Sequence, residues 1–272
     1  MRSSPSRVLA VAGLLVIGGP GLAADAPARE VMAESVDYPG SEGEMPARLY
    51  VPRGTDRLPG VLVLHTIAGP GPNVEAFARR LAGQGFVTMT PDVFALHEFG
   101  PAGRTDHPLI LRDLDGAVGF LRGHPRVDPT RTGVVGFSFG GRLAVIGASR
   151  HPDLKAVVAY YAISSHAELA RSRPLDGRAL TATSLTELVP SLRAPVLLHH
   201  GEADEQVPHE QSRLLVRALA AAGKPATLHL YPGARHLFNF AIAAEDPSPH
   251  HPEADGLAWD RTLAFLRGLL AH

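Results

Sequence analysis

Short apolar runs alternate with amphipathic stretches along most of this chain, and that alternation points to one architecture: a mostly parallel sheet with helices on both faces, an α/β fold. The run Gly60-Val61-Leu62-Val63-Leu64-His65 is continuously apolar up to its last residue, as a strand covered on both sides requires. Phe86 to Thr90, Thr132 to Val135, Lys155 to Tyr161, Pro195 to His200 and Thr227 to Tyr231 read as further strands. Helical patterns separate them at Val74 to Leu81, Asp106 to Arg122, from about Gly141, His209 to Ala222 and Leu257 to Leu270. In the second of these, Leu109, Leu114, Val118 and Leu121 share one side. Val31 to Tyr38 and Ala47 to Val51 open the fold as two strands joined by the polar turn Gly40-Ser41-Glu42-Gly43.

The first two dozen residues follow a different logic. Arg2 and Arg7 supply positive charge, Val8 to Gly18 is apolar but too short to span a bilayer, and small residues follow at Gly21-Leu22-Ala23-Ala24. Residues 1–24 are therefore expected to be a cleaved export signal, giving a periplasmic or secreted protein with no stable membrane association. The layout has neither a paired arginine nor a cysteine for lipid attachment. Residues 25–272 fit a single domain. The absence of cysteine excludes disulfides, thiolate metal sites and cysteine nucleophiles. A net charge of −1 marks no nucleic-acid or anionic-membrane partner. One segment breaks the rhythm: 162–194 has weak periodicity and is long for a plain connection, so it is either a cap over the pocket or a surface insertion.

Gly136-Phe137-Ser138-Phe139-Gly140-Gly141 directly follows the strand Thr132 to Val135 and precedes a helix. That is the pattern of a nucleophile elbow, with Ser138 at the tip of a tight turn and the N–H of Phe139 turned toward the same space. A serine hydroxyl needs a base and an orienting acid. Asp204 lies just past the strand Pro195 to His200, where sites in open α/β sheets gather, and can orient and stabilise a histidine. Glu202 and Glu205 are its rivals, and a helix cap ahead of Pro208 is the alternative role. His236 follows the strand ending at Tyr231. Fourteen histidines make a lone one uninformative, but this one completes the chain order Ser, Asp, His. His229 reads as a strand residue, and His250 and His251 as a solvated loop rather than a metal site. The second oxyanion donor is expected from the loop after Leu64, at Thr66 or, preferred, Ile67. No cofactor or metal is expected.

With these residues in place, the chain resembles the dienelactone hydrolase family of the α/β-hydrolase fold. The likeness rests on Val61-Leu-Val-Leu-His-Thr-Ile, Gly85-Phe-Val-Thr-Met-Thr-Pro-Asp-Val-Phe, the elbow, Ala194-Pro-Val-Leu-Leu-His-His-Gly-Glu-Ala-Asp, His236-Leu-Phe and Ala258-Trp-Asp-Arg-Thr-Leu. The resemblance also exposes departures. The best-known members have a cysteine at the elbow where this chain has Ser138, a glutamate where it has Thr66, and a substrate-holding arginine in the region of Phe240. The resemblance thus implies a serine esterase or lactonase acting through an acyl-enzyme, on a neutral small-molecule ester rather than the namesake lactone. The competing readings are a peptidase of the prolyl-oligopeptidase type and a non-catalytic binding protein on the same scaffold.

Overall fold

The computed structural model describes residues 8–10, 28–97, 107–171, 182–241 and 249–271. Within them, nine strands form one sheet: β1 (Val8–Ala10), β2 (Val31–Pro39), β3 (Glu44–Pro52), β4 (Leu58–Leu64), β5 (Val87–Pro91), β6 (Val127–Phe137), β7 (Ala156–Tyr160), β8 (Val196–Gly201) and β9 (Ala226–Tyr231). Their spatial order is β1-β9-β8-β7-β6-β4-β5-β3-β2. From β5 through β4, β6, β7 and β8 to β9 every pairing is parallel, while β2, β3 and β1 run antiparallel to their neighbours. The expected opening hairpin is present, its turn closed by Gly40 N–H donating to Gly43 O at 2.8 Å.

The parallel strands are apolar on both faces because each face has its own core. Val61 and Val63 of β4 face one side, where α1 (Pro72–Gly83) and the C-terminal helix (Pro252–Leu270) supply Leu81, Trp259 and Leu266. Leu62 and Leu64 face the other, against α2 (Pro108–Gly123), α3 (Phe139–Arg150) and the helix Glu210–Ala221. The two-residue alternation of a strand thus divides one hydrophobic run between two layers. On α2 the buried residue of the first turn is Ile110, with Leu109 only half-buried, and Asp113 is buried on the same face.

The segment 162–194 contains α4 (His166–Leu169), α5 (Leu185–Leu188) and a 3-10 turn (Val189–Ser191), with residues 172–181 outside the described set. The helix Glu210–Ala221 is α6 and Pro252–Leu270 is α7. Leu169, Leu185, Val189 and Leu192 are buried, so the described ends of the segment are part of the packed fold. The fully buried Arg142 of α3 donates to Ile163 O at 3.2 Å and to Thr183 O, and Gln211 Oε1 accepts from Ser164 and Ser165 N–H. One expectation is corrected: α7 begins at Pro252, and His251 caps it by accepting from Ala254 N–H at 3.3 Å, so the histidine pair starts a helix rather than filling a solvated loop. Of residues 1–24, only Val8–Ala10 lies within the described residues, its backbone paired with Thr227–His229 of β9.

Candidate active site

The chain leaves β6 at Phe137 and enters α3 at Phe139, so Ser138 must reverse direction in a single residue. It does so at φ 55° and ψ −113°, a conformation that L-residues adopt at a cost and that persists where neighbours enforce it. The flanking glycines are needed on steric grounds. A Cβ on Gly136 would lie 2.0 Å from Gly140 O, and one on Gly140 would lie 2.3 Å from His65 O and 2.4 Å from Leu64 O. The elbow is therefore packed backbone to backbone against the end of β4. Ser138 N–H is anchored to Tyr160 O at 2.9 Å.

Loops after β8 and β9 bring the two other predicted residues to the serine. His236 Nε2 lies 3.1 Å from Ser138 Oγ, and His236 Nδ1 lies 2.7 Å from Asp204 Oδ2. All three side chains are nearly buried, which strengthens their mutual electrostatics. Asp204 does not cap the following helix, which starts at Glu210 behind His209: its Oδ1 instead accepts from Gln206 N–H at 2.9 Å and Val207 N–H at 2.8 Å, closing the turn of its own loop. Neither rival matches it, since Glu205 is exposed and Glu202 only half-buried.

Burial by itself would raise the pKa of Asp204. The hydrogen bonds and charges of His200 and His236 outweigh it and hold the carboxyl well below the usual carboxylate range. An ionised acceptor therefore faces His236 throughout the neutral range. His200 is a contributor that sequence reasoning missed. Its Nε2 sits 3.3 Å from Asp204 Oδ2 and 2.7 Å from Val207 O, and its Nδ1 is 2.7 Å from Ser212 Oγ. In the sequence it is one more residue of an apolar strand, and nothing local marks it.

The loop after β4 carries the other predicted donor. Phe139 is the first residue of α3, so its N–H has no partner within the helix. Ile67 follows Thr66 in a turn closed by Gly69 N–H on Thr66 O at 3.1 Å, and Ile67 itself is exposed. Thr66 O also lies 2.7 Å from His65 Nδ1, while Val93 N–H donates to His65 Nε2 at 3.3 Å. A backbone N–H on Nε2 leaves the proton of the neutral ring on Nδ1. His65 therefore donates to the Thr66 carbonyl, and in a trans peptide the Ile67 N–H faces away from that bond. Among the described residues no group of three His, Asp or Glu is arranged to hold a metal.

Comparison with known proteins gives the lineage. The sequence profile of the dienelactone hydrolase family matches residues 45–270. A Methylorubrum extorquens protein assigned as a carboxymethylenebutenolidase is 29% identical over 255 residues, which is 88% of this chain and 82% of that protein. A crystal structure of a Klebsiella pneumoniae protein assigned as a dienelactone hydrolase superposes with a TM-score of 0.74 at 26% identity, covering 88% of this chain and 99% of that one. The acylaminoacyl peptidase of Pyrococcus horikoshii shares the fold, with a TM-score of 0.73 at 17% identity, and this chain covers 42% of it. The chain thus belongs to the dienelactone hydrolase family, and it is a carboxylic ester hydrolase of the α/β-hydrolase fold.

Proposed function

We propose that this protein cleaves neutral carboxylic esters or lactones through an acyl-enzyme, with Ser138, His236 and Asp204 as a catalytic triad. The observation that carries the reading is the continuous contact from Ser138 Oγ to His236 Nε2, 3.1 Å, and from His236 Nδ1 to Asp204 Oδ2, 2.7 Å. As Ser138 Oγ bonds to the ester carbonyl carbon, its proton passes to His236 Nε2. Collapse of the tetrahedral intermediate breaks the carbon–oxygen bond to the alcohol, which takes that proton as it leaves. Water then adds to the acyl-serine, giving a proton to His236, and the acid departs as Ser138 recovers its hydrogen. Asp204 stays ionised, orients the ring and stabilises the imidazolium.

The backbone N–H groups of Phe139 and Ile67 are assigned to the oxyanion, each worth on the order of 10²–10³ in turnover. Neutral substrates follow from Thr66 and Phe240, since neither brings the ionic group that the family resemblance associates with its position. Export to the periplasm or the medium, read from residues 1–24, belongs to the same proposal. The peptidase likeness extends to the fold alone.

Ser138→Ala tests the assignment. It is expected to reduce hydrolysis of p-nitrophenyl acetate and butyrate by at least about 10³-fold while leaving the melting temperature close to that of the parent. Retained turnover removes Ser138 from the mechanism. Failure of a fluorophosphonate probe to label Ser138 in the parent protein would favour the non-catalytic binder.

A further inference from the structure

Among the described residues, three that are not glycine hold a positive φ: Ser138 at 55°, Tyr161 at 40° and Leu237 at 63°. Backbone of this kind is strained for residues with a Cβ, and it lasts only where the surroundings over-determine it. The three are not scattered. Ser138 is the elbow, Leu237 directly follows His236, and Tyr161 directly follows β7, with its ring beside His236.

Tyr160 and Tyr161 connect the serine and the histidine through the centre of the sheet. Tyr160 O accepts from Ser138 N–H at 2.9 Å, and Tyr161 N–H donates to His199 O of β8 at 2.7 Å. The left-handed turn at Tyr161 then delivers its ring against His236, with centroids 4.6 Å apart and planes inclined by 59°. The Tyr161 hydroxyl donates to Asn239 Oδ1 at 2.8 Å. Asn239 lies in the loop of His236, three residues further on. Its Nδ2 is buried without a hydrogen-bond partner among the described residues, so the bond from Tyr161 orients that amide. Burial first, then the neighbouring charges, pushes the Tyr161 phenol well above its ordinary pKa, so it remains a donor across the working range.

The hydrogen bonds at Nδ1 and Nε2 hold the imidazole through contacts that bend readily, and the Tyr161 ring beside it, inclined by 59°, limits the motion that remains. We infer that Tyr161 is a positioning residue for His236: its ring supports the imidazole, and its hydroxyl fastens the His236–Asn239 loop to the end of β7. The inference rests on the serine-hydrolase reading, and the role it gives Tyr161 is exerted through His236.

The test uses the full chain with Tyr161→Phe, which keeps the ring and removes the latch, Asn239→Leu, which removes the acceptor, and the double variant. With p-nitrophenyl butyrate, each single variant is expected to lower kcat about tenfold, the size of one lost hydrogen bond, with KM changed less than about twofold. The double variant is expected to be no worse than either single one, because both remove the same bond. A second readout needs no substrate: the far-downfield proton resonance of the His236–Asp204 hydrogen bond should broaden in Tyr161→Phe as the ring loosens. Parental kcat in Tyr161→Phe, additive losses in the double variant, or an unchanged resonance would each overturn the positioning role. A parent protein without ester turnover strikes the hydrolase reading instead, and the resonance then decides the positioning role by itself.

Discussion

Gly140 is a residue whose missing side chain shapes the site. Its Cα passes so close to the end of β4 that a methyl would sit 2.3 Å from His65 O and 2.4 Å from Leu64 O, both backbone atoms of a buried strand end. Neither can yield without moving the loop that carries Thr66 and Ile67. Gly140→Ala is therefore expected to cost about 3 kcal/mol or more of stability and at least about 100-fold in turnover. Gly119 is the internal control: it lies on the exposed side of α2, where a methyl group would meet nothing within 4 Å, so Gly119→Ala should stabilise by about 0.5–1 kcal/mol with turnover unchanged. Urea denaturation and p-nitrophenyl butyrate assays on both variants check the pair. At this scale the sequence is legible where chemistry demands a rare residue type in a fixed order, as with Ser138, Asp204 and His236. His200, His65 and Tyr161 escape notice there because their importance comes from which strand ends the sheet sets side by side.

Elements are more readable in their centres than at their ends. The parallel strands announce themselves as apolar runs, yet β6 extends back to Val127 through polar residues that pair only at its edge. The start of α7 at Pro252 is hard to read because histidine is an unusual cap, and the bond from Ala254 N–H to His251 Nδ1 reveals the cap. Inside β8 and β9, polar side chains have consequences that hydropathy cannot express. His199 of β8 bridges Tyr231 and Thr262, and burial, His229 and Arg261 hold its pKa well below the ordinary histidine value. His229 of β9 stacks on it at 5.8 Å, and burial with Arg261 lowers it from 6.5 to about 4. Each ring stays neutral in the fold while its unfolded counterpart takes up a proton below about 6.5, so the unfolded chain binds more protons and stability falls on acidification. Between pH 7 and pH 4 the contribution of His229 amounts to on the order of 2 kcal/mol. His229→Val should flatten this acid limb in melting temperatures measured across that range. An unchanged limb would remove His229 as its source.

For the whole molecule, the open question is what the first two dozen residues contribute. Val8, Leu9 and Ala10 pair with His229, Leu228 and Thr227 along the outer edge of β9, in a stretch that the proposed export reading expects to be cleaved. A three-residue edge strand offers only a few backbone hydrogen bonds, each worth about 1 kcal/mol net, and short edge strands are marginal. The two core layers, by contrast, are assembled from β2 onward, and the elbow and Asp204 follow the interior strands β6 and β8, while His236 follows β9, the strand beside β1. The chain has no cysteine, so no covalent link ties its ends to the sheet. A protein starting at Asp25 is therefore expected to retain turnover within about twofold and to melt within roughly 5 °C of the full chain. Expressed whole in a bacterium, the protein should be recovered from the periplasm or medium with its N-terminus near Ala24 or Asp25, as N-terminal sequencing would read. A full-length N-terminus, together with a truncated form that unfolds far earlier, would make β1 a structural strand of the working enzyme and overturn export as the purpose of residues 1–24.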